Sequence, residues 1–126
     1  MKYTRLFMVV LFGLSLLSGN AGAAERRLDA QSIKNAVIGH MVSVFTPERT
    51  IDNIRLVPGG AIVNGKDNDK KIGTWSVSGG LLCFEFPNAI DHICTTVIEH
   101  SSDKSRLYLF TVAGESFGEI RFHKDR

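Results

Sequence analysis

The chain has 126 residues and a formal net charge of +2, from 15 basic and 13 acidic side chains. Two of the basic residues, Lys2 and Arg5, lie within the first 23 residues, so the rest of the chain carries 13 charges of each sign. A neutral protein lacks the long-range field that draws nucleic acid or an acidic membrane surface, and we expect neither as a partner.

The first 23 residues have the pattern of a secretory signal peptide. Lys2 and Arg5 form a basic start, residues 6–17 form an apolar run, and Ala21-Gly22-Ala23 supplies the small residues of a cleavage site. A membrane anchor is the alternative, but the run is shorter than the roughly 20 apolar residues that cross a bilayer. We predict cleavage after Ala23, or one residue later, and a periplasmic or secreted protein without a membrane span.

Residues 24–126 are then expected to form a single β-rich domain that begins with a short helix. Asp29 can cap the free backbone N–H groups of a first helical turn, and apolar residues recur at helical spacing from Ile33 onward. Gly39 suits the left-handed conformation that ends a helix. Residues 42–45 either continue this helix or begin a strand, and their β-branched and aromatic side chains favour a strand.

The remaining chain alternates short β-like segments with turns that contain glycine. We predict strands at 42–45, 53–57, 61–64, 72–77, 81–86, 93–100, 106–112 and 117–122. The fold class is therefore mainly β: a short N-terminal helix and an antiparallel meander of about seven strands, counted from residue 53 onward, that closes into a small barrel or folds into a sandwich.

The two cysteines are predicted to form a disulfide across one hairpin. With the turn centred between Asn88 and Ala89, Cys83 lies opposite Cys94, and directly opposed residues are about 4.5 to 5.5 Å apart at Cα. Export to an oxidising compartment favours the bond. The pair is either a structural cross-link or a redox-active disulfide, and its wide spacing within strands favours the cross-link.

The same register predicts a polar cluster of Glu85, Asp91 and His92, with Glu85 opposite His92. Such a cluster can act as a weak metal site or as a general base with an orienting carboxylate, and an exposed hairpin salt bridge is the simpler interpretation. The four histidines lack zinc-ligand spacing, and the serines lack a nucleophile-elbow pattern. We therefore predict no catalytic residue, no metal and no cofactor.

Trp75, Phe84 and Phe86 are predicted to be structural core residues. The triplet Gly73-Thr74-Trp75 resembles the G-x-W of lipocalin-like barrels, a resemblance that implies a late arginine packed on the tryptophan, for which Arg121 is the candidate.

A second resemblance covers most of the mature chain. Gly73, Trp75, Cys83 and Cys94 are arranged as in a group of small periplasmic bacterial proteins of unknown function, with G-x-W, a cysteine after a glycine turn, and a cysteine on the next strand. This resemblance implies a secreted β-domain with one disulfide and supplies no catalytic residues.

These observations predict a non-enzymatic binding module that acts on an envelope or secreted protein or on a cell-envelope component. An inhibitor of an envelope-directed hydrolase is one form of this hypothesis, with the loops 65–71, 87–91 and 101–105 as candidate surfaces. The alternative is a small carrier that holds an apolar ligand in a lipocalin-like barrel. An enzyme without a recognisable motif, built on the polar cluster, is the third possibility.

Overall fold

The computed structural model describes residues 25–124, so the predicted signal peptide, residues 1–23, lies outside the described residues. In chain order the elements are β1 (Glu25–Arg27), α1 (Ala30–Val37), β2 (Val42–Phe45), β3 (Thr50–Val57), β4 (Ala61–Asn64), β5 (Lys70–Ser78), β6 (Leu81–Phe86), β7 (Ile90–His100), β8 (Asp103–Thr111) and β9 (Ser116–Phe122).

Strands β2 to β9 form a closed, antiparallel, up-and-down barrel. Each strand pairs with the next one along the chain, and β2 pairs with β9 from Val42 opposite Phe122 to Phe45 opposite Glu119. This last pairing joins the two ends of the sheet, so the predicted mainly β fold is confirmed and is a barrel rather than a sandwich.

The interior of the barrel is filled by side chains. Inward positions alternate with outward ones along each strand, and the inward residues form one continuous cluster. The fully buried members include Ile54, Ile62, Leu82, Val97, Leu107, Leu109 and Ile120. Thr95 also points inward, and its hydroxyl donates a hydrogen bond to the Leu82 carbonyl at 3.1 Å, so this buried polar group is satisfied.

Helix α1 closes one end of the barrel, which we call the helix end. Ile33 and Val37 are fully buried on the helix face that meets the core. The backbone fixes this segment on both sides, because Leu28 N–H donates to Val97 O at 2.9 Å and Gly39 N–H donates to Leu56 O at 3.1 Å. The opposite end, which we call the mouth, is formed by turns between the strands.

The predicted limits of the helix are confirmed. The Asp29 carboxylate accepts a hydrogen bond from Ser32 N–H at 2.8 Å, as expected of an N-cap residue. Gly39 has a positive φ of 84° just beyond the helix, where side-chain-bearing residues are disfavoured.

Strand β1 was not predicted from the sequence. Its three residues, Glu25 to Arg27, are all exposed and show no apolar alternation. They pair with residues 98–100 of β7. Strand β6 pairs with β7 only as far as Thr95, so this last part of the β7 edge is available to β1. Arg26 forms an ion pair with the buried Glu99 carboxylate at 2.9 Å, which anchors the strand.

The predicted register of the cysteine hairpin is correct at its base and wrong near its turn. Cys83 pairs with Cys94 and Phe84 with Ile93, but Phe86 pairs with Ile90 rather than Asp91. The turn is tighter than predicted: Ala89 N–H donates to Phe86 O at 2.9 Å, and Asn88 has a φ of 70°. A bulge before Ile93 absorbs the extra residue.

Gly73 of the G-x-W triplet is required by close packing between β5 and β6. A Cβ placed there would overlap the Glu85 carbonyl oxygen and lie 3.2 Å from Cδ1 of Phe86. The glycine therefore has a steric role in the barrel wall.

We predict that Gly73→Ala lowers the free energy of unfolding by about 1–3 kcal/mol, the usual cost of overpacking. Thr74→Ala, at an exposed position on the same strand, is the matched control and should have a much smaller effect. Urea unfolding followed by tryptophan fluorescence measures both variants, and equal stability of the two would contradict the steric role.

The Asp29 cap is expected to make the stability of the fold depend on pH. The pKa of its carboxyl is lowered below the ordinary value of 3.8, mainly by the hydrogen bond from Ser32 N–H and also by one from the Ser32 side chain. Because the native pKa is lower than the unfolded one, the charged cap stabilises the fold above the unfolded pKa and stops doing so as pH falls through the native pKa. Asp29→Asn keeps a capping oxygen but cannot ionise.

Thermal melts should therefore show a higher Tm for the wild type than for Asp29→Asn near neutral pH, with the difference disappearing in acid below pH 3.8. Asp29→Ala, which has no capping oxygen, should melt lowest of the three near neutral pH. A difference between wild type and Asp29→Asn that does not change with pH would contradict the charged cap.

Candidate functional site

The candidate site is a pocket of about 460 Å³ at the mouth. Three chain segments that are distant in sequence meet there: the turn between β2 and β3, the start of β7 and the start of β9. The lining residues are Thr46, Pro47, Glu48, Arg49, Ala89, Ile90, Asp91, His92, Ile93, Ser116 and Phe117.

The floor of this pocket is apolar and continuous with the core. Ile90, Ile93 and Phe117 are half-buried and pack against the buried cluster. Below them the Phe84 ring lies 5.9 Å from the Phe117 ring and 6.0 Å from the Phe86 ring, centroid to centroid, in tilted orientations. An apolar group that enters the pocket therefore meets aromatic and aliphatic carbon.

The rim of the pocket carries charges of both signs. Glu48 and Arg49 lie on one side, Asp91 and His92 on the other, and all four are exposed. The Glu48–Arg49 turn is fixed by Thr46, whose N–H donates to Arg49 O at 2.8 Å and whose hydroxyl oxygen accepts from Arg49 N–H at 3.1 Å. One wall of the pocket is thus preorganised.

The predicted polar cluster is only partly assembled. Asp91 and His92 line the pocket, whereas Glu85 does not. The bulge displaces His92 from the position opposite Glu85, and among residues 25–124 His92 forms no ion pair with either carboxylate. The contact of His92 is with sulfur: its Nε2 lies 3.8 Å from Sγ of Cys94.

The disulfide between Cys83 and Cys94 is present on the outer wall beside the pocket. The two residues are directly opposed on neighbouring strands, as predicted, and their Cα atoms are 3.9 Å apart, closer than the expected separation of about 4.5 to 5.5 Å. Cys83 is buried and Cys94 is partly exposed.

Trp75, Phe84 and Phe86 all lie in the buried cluster. Trp75 donates a hydrogen bond from Nε1 to Val57 O at 2.9 Å, which satisfies its indole N–H. Arg121 is not its partner: the guanidinium lies 4.0 Å above the Phe45 ring and pairs with Glu119. The arrangement implied by the lipocalin resemblance is therefore absent at these two residues.

The three predicted loops do not form one surface. The turn at 87–89 borders the mouth pocket, and the loop at 65–69 follows a strand that runs toward the mouth without lining the pocket. The connection at 101–102 lies at the helix end, because β7 runs away from the mouth. The mouth pocket is lined instead by the turn at 46–49 and by Phe117, neither of which the sequence singled out as a candidate surface.

A second polar contact lies at the helix end and has the residue types of a nucleophile and a base. The Ser43 hydroxyl and Nε2 of His123 are 3.0 Å apart. Ser43 is only 4% exposed, so its oxygen is not presented to a substrate. The pair therefore provides a partly buried structural hydrogen bond between β2 and the exposed residue after β9.

Within residues 25–124, no helix has both the length and the apolar character needed to cross a membrane. Comparison of the chain with protein-family models, with curated protein sequences and with solved structures gave no match.

We predict that the double variant Cys83→Ser/Cys94→Ser is less stable than the wild type by about 2–3 kcal/mol, because the bond closes a short loop in the unfolded chain. The sequence separation of the two cysteines is 11 residues. Denaturant unfolding with and without reductant measures the effect. Reductant should destabilise the wild type and leave the double variant unchanged; equal sensitivity of both would contradict the prediction.

Proposed function

We propose that the protein is a non-enzymatic binding module, periplasmic or secreted, that acts on an envelope protein, a secreted protein or a cell-envelope component through the mouth of its barrel. The observation that carries the proposal is the mouth pocket, with its apolar floor and its rim of mixed charge. Inhibition of an envelope-directed hydrolase is one form that such binding would take.

The arrangement of the pocket suits recognition of a projecting side chain or chain segment. Protein interfaces gain most of their affinity from a few well-packed apolar contacts, and the surrounding polar rim excludes water and sets specificity. Ile90, Ile93 and Phe117 provide the apolar contacts, and Arg49 and Asp91 provide rim charges of opposite sign.

The filled interior favours a partner that stays at the mouth over a ligand enclosed in the barrel. Phe84 is buried directly beneath Phe117 of the pocket floor, and the buried Phe86 ring lies next to Phe84. A ligand that entered further would have to displace side chains from a close-packed core, which is costly. The pocket volume of about 460 Å³ still falls within the range of small-molecule sites, so the apolar-ligand carrier is the second candidate.

The rigidity of the site supports a binding role rather than one that requires a conformational change. The barrel wall is closed by backbone hydrogen bonds, and the hairpin that carries Ile90 is cross-linked by the disulfide. A preorganised surface loses little conformational entropy when a partner binds.

We predict that Ile90→Lys weakens binding of the partner by at least about tenfold, the effect expected of a central apolar contact. The lysine chain can extend from this half-buried position to solvent, so the fold should be retained. Ile98→Lys is the matched control, since Ile98 is also half-buried on β7 but lies away from the mouth. Immobilised wild type and both variants are incubated with envelope extract, and bound proteins are quantified by mass spectrometry.

A component that is enriched by the wild type and by Ile98→Lys but lost with Ile90→Lys supports the proposal. Failure to enrich any component, or equal loss with both variants, contradicts it. Native mass spectrometry of the purified protein tests the carrier: a co-purified apolar ligand that disappears only in Ile90→Lys would favour the second candidate, and a ligand-free mass would count against it.

A further inference from the structure

Three side chains with metal-binding atoms meet on the outer wall of the barrel. The Sγ atoms of Cys83 and Cys94 and a ring nitrogen of His92 all lie within 4.8 Å of one another. His92 and Cys94 are two residues apart on β7, and Cys83 is opposite Cys94 on β6. Two neighbouring strands of a closed barrel thus fix the positions of all three.

We propose that reduction of the disulfide converts this cluster into a zinc site, with Cys83, Cys94 and His92 as ligands. Thiolate sulfur and imidazole nitrogen are the ligands that zinc prefers, and Cys₂His with one open position is a known ligand set for this ion. The proposal is independent of whether the mouth pocket binds a partner.

The spacing of the cluster fits tetrahedral coordination. Zn–S bonds of about 2.3 Å and Zn–N bonds of about 2.0–2.1 Å place two sulfurs about 3.8 Å apart and a sulfur and a nitrogen about 3.6 Å apart. His92 Nε2 and Cys94 Sγ are already 3.8 Å apart. Once the S–S bond is broken, the two sulfurs must separate, and the third pair of ligand atoms, Cys83 Sγ and the His92 nitrogen, already lies within 4.8 Å. Rotation about the side-chain bonds can supply these small movements while the backbone pairing stays in place.

Solvent can reach the cluster from one side. His92 is exposed and Cys94 partly exposed, whereas Cys83 is buried behind them. A metal ion can therefore enter over His92, and a water molecule can complete the fourth position. The buried Cys83 provides a ligand that is shielded from competing reactions.

The redox step requires an external dithiol. The dithiol transfers two electrons and two protons to the Cys83–Cys94 bond, which breaks to give two thiols, and the dithiol itself becomes a disulfide. Binding of Zn²⁺ then displaces both thiol protons to solvent, and His92 binds as neutral imidazole. Oxidation of the pair removes two of the three ligands, so the site exists only in the reduced protein.

The test is zinc titration of the purified protein in both redox states. The reduced sample is freed of dithiol under argon and titrated with Zn²⁺ alone against a chromophoric chelator. We expect one zinc per reduced chain and none per oxidised chain. His92→Ala should weaken zinc binding by at least about tenfold, and Cys83→Ser/Cys94→Ser should abolish it. His100→Ala, at a half-buried histidine on the same strand, is the control and should bind as the wild type does.

The proposal is overturned if the reduced wild type binds no zinc, if the oxidised protein binds as much as the reduced one, or if His92→Ala and His100→Ala bind equally. If the reduced chain loses its fold, circular dichroism measures whether zinc restores it. One equivalent of zinc should then restore the β-sheet spectrum in the wild type and not in His92→Ala, and a failure to restore it overturns the proposal as well.

Discussion

Pairing of β2 with β9 is the constraint on which the rest of this structure depends, because it converts an open meander into a barrel. An open sheet leaves two rows of unpaired backbone N–H and C=O groups, whereas closure pairs them. The join is tight: a Cβ on Gly118 would overlap the Phe45 carbonyl oxygen, so only glycine permits this approach. Closure also brings the turn after β2 beside the start of β9, and the mouth pocket exists only because these two segments meet.

The outer face of this join is charged, and its inner face supplies the stability. Glu119 accepts from Arg106 at 3.3 Å and also pairs with Arg121, whose guanidinium stacks on Phe45. Exposed ion pairs contribute little, about 0–1 kcal/mol. On the inner side, Val44 and Ile120 pair directly and are almost fully buried, so apolar burial stabilises the β2–β9 pairing and favours its register.

The sequence predicted the elements whose signals are local and missed those created by tertiary contact. The Asp29 cap, the Gly39 helix end and the Cys83–Cys94 pairing depend on nearby residues, and each was predicted correctly. Strand β1 has no periodic signal and forms only because β7 offers an edge. The mouth pocket could not be predicted, since Arg49 and Phe117 are distant in sequence and only barrel closure brings their segments together. The bulge that removes His92 from the position opposite Glu85 accompanies the tight turn at 87–89, which alternation of side chains does not reveal.

The order in which the strands pair has a consequence for how the chain folds. Seven of the barrel's pairings join strands that follow each other in sequence, whereas the closing contact joins residues such as Ser43 and His123, which are 80 positions apart. Local hairpins lose little loop entropy when they form, and the entropy cost of the closing pair is much larger. Closure is therefore expected late in folding, after the hairpins have shortened the effective loop. Until then β2 and β9 are free edges, and this interval is when the chain is most exposed to strand exchange with another molecule.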